Sequence, residues 1–274
     1  MWVLLLGTLQ AQSGFEPPVR DTGLDRAFGH MYNLDFAAAR REIAAWQALH
    51  LQDPLGPAAE AASHLFSEFE RLQVLQAEFF ETDDKFRARR KVKPDPTIKQ
   101  AFDAALARAE DLSQRRLAQD PSDRLGLFAM VLANGMRADY AALIEKRDFA
   151  ALGYTKKASQ WAEKLLAGAP DYYDAYLATG LGKYIVGTKP APVRWLLRLG
   201  GIKGDRKEGM RELRLTAERG RYLAPFARLL LAIGHLREGD RSQARQLLAQ
   251  LRDDFPHNPL FAREAARLEA KPQP

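Results

Sequence analysis

A ten-residue stretch near the C-terminus occurs twice, and this internal repeat limits the possible folds more than any other feature. Gly204-Asp205-Arg206-Lys207-Glu208-Gly209-Met210-Arg211-Glu212-Leu213 aligns with Gly239-Asp240-Arg241-Ser242-Gln243-Ala244-Arg245-Gln246-Leu247-Leu248, 35 residues further on. Self-similarity at such a period implies a small supersecondary unit that buries its apolar face against the next copy. The matched positions fit a helix pair. Gly-Asp ends one helix and caps the next. Gly209 and Ala244 are small where two helices must come close, and Leu213 and Leu248 follow one turn later on the same face.

The same pattern recurs upstream. Asp35, Ala39, Ile43 and Trp46 lead to Pro54; Ala105, Ala109 and Leu112 lead to Pro121; Ala158, Ala162 and Leu165 lead to Pro170. Each proline marks a helix exit. Runs of β-branched residues are nearly absent while Ala, Leu, Arg and Glu abound, so helix is expected throughout and a large sheet is not. The expected architecture is all-α: an α-solenoid of about five antiparallel helix pairs. The pairs fall at 21–54; 56–75 with 95–119; 122–146 with 154–168; 171–187 with 205–220; and 222–256. A capping helix covers 258–269, where Glu264, Arg267 and Glu269 give a polar outer face. Residues 14–274 are expected to form one helical repeat domain. Two insertions interrupt it, at 76–94 and 188–204.

The spacing and residue classes of Pro225 to Asn258 resemble a full tetratricopeptide repeat. Leu231 and Ala232 form the large–small pair of its first helix, Gly239-Asp240 the turn, Ala244, Leu248 and Leu251 the second helix, and Pro256 the terminal proline. The chain as a whole looks like a tetratricopeptide repeat (TPR) protein of bacterial type. Locally, 190–231 is also similar to a eukaryotic family of large TPR proteins linked to the mitochondrial outer membrane and inclusion-body clearance, through Pro192, Trp195-Leu196-Leu197, Gly201, Gly204-Asp205-Arg206 and Gly209. That resemblance implies partner binding in a concave groove and no catalytic residues. Mapped onto the repeat, Phe226, Leu229, Ile233 and Arg237 of the fifth pair are expected to face the groove, with Asp174, Leu177, Leu181 and Tyr184 of the fourth. Tyr172, Tyr173, Tyr176, Tyr184 and Trp195 supply amphipathic surface suited to a small-molecule pocket, and Trp195 and Leu196 of the second insertion are expected to fold over the groove mouth near Tyr176 and Tyr184.

Charge and composition exclude several function classes. The net charge of +6 comes from 41 basic and 35 acidic residues, largely interleaved, which does not indicate nucleic acid. No cysteine is present, which removes disulfides, thiolate nucleophiles and Cys-based zinc sites. The run Trp2-Val3-Leu4-Leu5-Leu6, followed by Ala11-Gln12-Ser13, reads as a signal peptide over residues 1–13, with the mature chain periplasmic or secreted. If that run packs on the first helix pair instead, the protein is cytoplasmic. No segment is expected to span a bilayer, although the short amphipathic turn Val193–Leu199 could touch a membrane surface.

No catalytic constellation stands out. The histidines His30, His50, His64, His235 and His257 are not spaced as a metal pair on one helix. Glu78, Glu81, Asp83 and Asp84 are followed at once by the basic run 85–93, which supplies their counter-charge. No Gly-x-Ser-x-Gly elbow exists. Gly200-Gly201-Ile202-Lys203-Gly204 lacks the Gly-Lys-Ser/Thr ending of a phosphate loop, so no cofactor or metal is expected. Two functions remain. One is a non-enzymatic scaffold that binds a protein or peptide in its groove. The other is a module for an apolar small molecule or lipid, held in a cavity between the N- and C-terminal pairs, where an enclosed cavity favours the second and an open groove the first.

Overall fold

A computed structural model describes residues 22–75, 92–188 and 204–270. Among these residues the chain is helical, without strands. It forms eleven α-helices: α1 Gly23–Tyr32, α2 Phe36–Leu49, α3 Leu55–Leu72, α4 Pro96–Gln119, α5 Arg124–Asp139, α6 Asp148–Gly168, α7 Tyr176–Gly187, α8 Arg206–Arg219, α9 Ala224–Arg237, α10 Arg241–Asp254 and α11 Pro259–Ala270.

Aspartates set the helix starts. The carboxylates of Asp35, Asp95, Asp123, Asp205 and Asp240 accept from backbone N–H groups in the first turns of α2, α4, α5, α8 and α10. Each such cap satisfies a donor that the helix cannot pair internally, and typically contributes about 1 kcal/mol. Prolines set several ends: α4, α6 and α10 stop two residues before Pro121, Pro170 and Pro256. Gly239 turns between α9 and α10 with φ +83, a conformation open to glycine at little cost.

Helices pack chiefly on their neighbours in the chain, α1 on α2, α3 on α4, α5 on α6, α7 on α8 and α9 on α10, with α11 against α10. The two largest departures from the expected boundaries are at α5, which ends at Asp139 rather than 146, and at α6, which begins at Asp148 rather than 154. Helix α5 does not end in a long linker. It runs into a π-helical turn, Tyr140–Ile144, and Lys146 reverses the chain with φ 56 while Arg147 N–H donates to Ala141 O at 2.8 Å. By length and composition alone the span Arg124–Ile144 is apolar enough to cross a membrane, with a mean hydropathy of 1.2, but 67% of it is buried inside the protein.

The α7–α8 pair crosses at glycines. A Cβ on Gly209 would stand 2.6 Å from Tyr184 N and 2.7 Å from Gly180 O, and one on Gly180 would stand 3.0 Å from Gly209 O. Ala244 in α10, the repeat partner of Gly209, is fully buried.

A second kind of contact joins distant parts of the chain. The turn between α8 and α9 packs on α1: the ring of Tyr222 lies 5.0 Å from that of Phe28, and the Tyr32 hydroxyl donates to Tyr222 O at 2.9 Å. Arg221 makes a two-pronged ion pair with Asp25, both bonds 2.7 Å. Asn258, just before α11, donates from its amide to Tyr32 O at 2.8 Å. We call this contact of α1 with the C-terminal helices the seam. Its turn is held from the other side by buried Asp174, whose carboxylate accepts from the backbone N–H groups of Arg221, Tyr222 and Leu223.

Candidate functional site

Phe66 and Phe69 recur at i, i+3 on α3, which puts both rings on one helical face. That face looks toward the seam. The Phe66 ring lies 6.1 Å from Tyr32 and 6.1 Å from Phe226, and Tyr32 lies 5.3 Å from Phe255. The rings do not close completely. An apolar cavity of about 50 Å³ remains, walled by α1 and α3 on one side and by Pro225, Phe226, Leu229, Leu260 and Phe261 on the other. Polar groups stand at its edge: Glu70, Gln73 and Asn258. Gln73 ends α3 in the left-handed region, φ 55, with its amide donating to Glu70 O at 2.6 Å. The amide of Asn258 is spent on Tyr32 O and on Leu260 N–H, 3.0 Å away.

Burial pushes the Tyr32 phenol far above its usual range, so it stays neutral and serves as a donor to Tyr222 O. Burial raises two carboxyls, Asp139 at the end of α5, which it pushes up to about 7, and Asp174, where hydrogen bonds from three backbone N–H groups offset part of the rise. His235 Nδ1 lies 3.4 Å from Asp240 across the α9–α10 turn, where both residues belong to a helix end. Among the described residues no three His, Asp or Glu side chains converge as a metal site.

The structure does not bring the site residues expected from sequence together as one site. Phe226 and Leu229 line the cavity together. Leu177, Leu181 and Tyr184 lie in the packing of α7 against α8 and α9; Tyr184 is buried, with its hydroxyl 3.5 Å from Gly234 O. Ile233 packs beside Leu229, Ala232 and Ala244, and Arg237 sits half-buried near the end of α9. Tyr176 is tied to its own turn, donating to Pro170 O at 3.1 Å and stacking on Tyr173. Trp195 and Leu196, and nearly all of both insertions, lie outside the described residues. Lys93 is described, and its carbonyl accepts from Arg71 at 2.9 Å.

Sequence reasoning missed Tyr32, Phe66, Phe69 and Asn258. The spacing of Phe66 and Phe69 was a legible sign of a buried face. Nothing in the local pattern pairs Tyr32 with a turn 190 residues away. Comparison with models of known protein families, with curated proteins and with solved structures gave no match.

Proposed function

We propose that this chain is a non-enzymatic scaffold that binds a protein or peptide partner, receiving one apolar side chain of that partner in the seam cavity. Its architecture on this reading is a solenoid of five TPR-like pairs, α1–α2 to α9–α10, capped by α11. The apolar N-terminal run supports export of the scaffold from the cytoplasm.

The observation that carries the proposal is the size and lining of the cavity. A volume of about 50 Å³ is well below the roughly 150 Å³ that holds a benzene ring and the roughly 300–1,000 Å³ of ordinary small-molecule sites. It suits the end of one aliphatic side chain. Burial of such a group against aromatic walls is how single anchors dominate peptide and protein interfaces. The position of the cavity, between the N- and C-terminal helices, favours the second reading, an apolar small molecule or the end of a lipid chain.

A photo-crosslinking amino acid at Gln73, on the rim, distinguishes them. In the native host we expect a covalent adduct with one partner protein, lost when Leu229→Trp fills the cavity. A small molecule seen by native mass spectrometry on the purified chain, with no protein adduct at Gln73, would establish the second reading instead.

A further inference from the structure

A second recess, sharing no residue with the seam cavity, lies among α4, α5 and α6. It is an open groove of about 610 Å³. Its floor is Met130 and Asn134, one turn apart on α5 and both buried. One wall is Glu110 and Gln114 on α4. The other is Lys157, Gln160, Trp161 and Lys164 on α6, whose i, i+3, i+4, i+7 spacing makes a continuous stripe along one helix face.

Among the described residues the positive charge of this groove is not neutralised. Glu110 is held by Arg137 through bonds of 3.2 and 2.8 Å, so its negative charge is already matched. Lys157 and Lys164 are exposed and have no acidic partner among the described residues; each lies over an aromatic ring of its own helix, Tyr154 and Trp161. Glu163, the one acid between them in the chain, is not part of the wall. The groove therefore presents two unmatched positive charges.

Its remaining polar groups are primary amides. Asn134 gives one N–H to Met130 O at 2.8 Å, and its amide oxygen receives no hydrogen bond among the described residues. Gln114 and Gln160 flank it from the two walls. A primary amide offers a donor and an acceptor side by side, which matches the N–H and C=O of an extended peptide backbone. Lys157 and Lys164 are seven residues apart, about 10 Å along the helix axis. In an extended polyproline-type peptide, residues i and i+3 share a face and lie about 9 Å apart.

We infer that this groove binds an extended acidic peptide segment of a partner protein. Carboxylates three residues apart meet Lys157 and Lys164, the backbone is read by Asn134, Gln114 and Gln160, and the half-buried Trp161 ring packs against the segment. The inference is independent of the seam cavity, because a chain with a filled cavity keeps the groove.

The test uses the full chain and a fluorescein-labelled peptide of repeated Glu-Pro-Pro triplets, followed by fluorescence anisotropy at low salt. Lys157→Glu with Lys164→Glu is expected to weaken binding about tenfold or more. The control is Lys207→Glu with Arg214→Glu, which makes the same charge change at the same seven-residue spacing on α8, where both side chains are exposed. It is expected to leave binding within about twofold. A peptide of the same composition with its glutamates clustered at one end should bind more weakly than the triplet repeat. Equal losses in the groove and control variants would reduce the effect to net charge and overturn the inference. So would absence of peptide binding, or tighter binding of a single-stranded oligonucleotide that depends on the same two lysines. Leu229→Trp, which fills the seam cavity, should leave peptide binding unchanged.

Discussion

The α7–α8 crossing and the seam are both close contacts, made by different means. At the crossing, two helices adjacent in the chain touch backbone to backbone because Gly180 and Gly209 carry no side chain. At the seam, helices separated by most of the chain meet through aromatic rings, a two-pronged ion pair and backbone carbonyls that accept from Tyr32 and Asn258. At the glycines the crossing fixes no side chain and depends on small volume, although Lys183 of α7 also pairs with buried Glu212 of α8 at 2.6 Å. The seam needs each polar group to find its partner, since a buried donor or acceptor left unpaired costs more than a typical hydrogen bond contributes. Contacts of the first kind tolerate changes of polarity but not of size, and the second kind the reverse.

The largest effect expected from this contrast is at the crossing. Gly209→Val places a branched side chain against Tyr184 N and Gly180 O, which are backbone and cannot swing aside. A loss of about 3 kcal/mol or more in urea unfolding is expected. A loss below about 0.5 kcal/mol would mean that α7 and α8 separate easily, and the contrast would fail on that side.

The seam should answer most strongly at Asp174. Asp174→Ala removes the shared acceptor of three backbone N–H groups, two of them buried, and is expected to cost about 2–3 kcal/mol. Asp174→Asn should recover part of this, because its amide oxygen can accept from the same donors. Hydrogen exchange should localise the damage to 221–223 and to α1. Protection lost evenly over the chain would show that the seam is not a separate unit.

The smallest effect is at Asp25, and it is pH-dependent. Burial raises its pKa, but the hydrogen bonds from Arg221 and Thr22 outweigh burial, so the carboxyl sits below its usual value. A depressed folded-state pKa contributes stability that is present above the unfolded value of about 3.9 and is lost as pH falls through the folded value. Asp25→Asn is therefore expected to be less stable than the parent by about 1 kcal/mol at neutral pH. The gap should close below about pH 4, as read from melting temperatures. A gap that stays constant down to low pH would assign the effect to packing rather than to the ion pair.

How far each region was legible follows from the same contrast. The repeat of Gly-Asp with a small residue five positions after the glycine located α8 and α10, their Asp caps and the close approach at Gly209 before any coordinates. Phe226 and Leu229 were placed as binding residues by repeat register and do line a cavity. Leu177, Leu181 and Tyr184 were placed by the same register and lie within helix packing, because register gives the face of a helix and not what the rest of the chain lays over it.

From the sequence alone came the helical class, the order of the helices and most of their ends, because caps, proline exits and apolar spacing act within a few residues of each other. Tertiary structure alone decided that α1 returns to the α8–α9 turn, that the space between them narrows to a cavity of about 50 Å³, and that α4, α5 and α6 line a groove where Lys157 and Lys164 have no acidic partner among the described residues. The physical reason is range. Backbone hydrogen bonds and helix periodicity are local, so a short window of residues reports them. The pairing of Tyr32 with Tyr222 O or of Arg221 with Asp25 depends on how the successive helix packings add up along the chain, and no single stretch of residues records that sum.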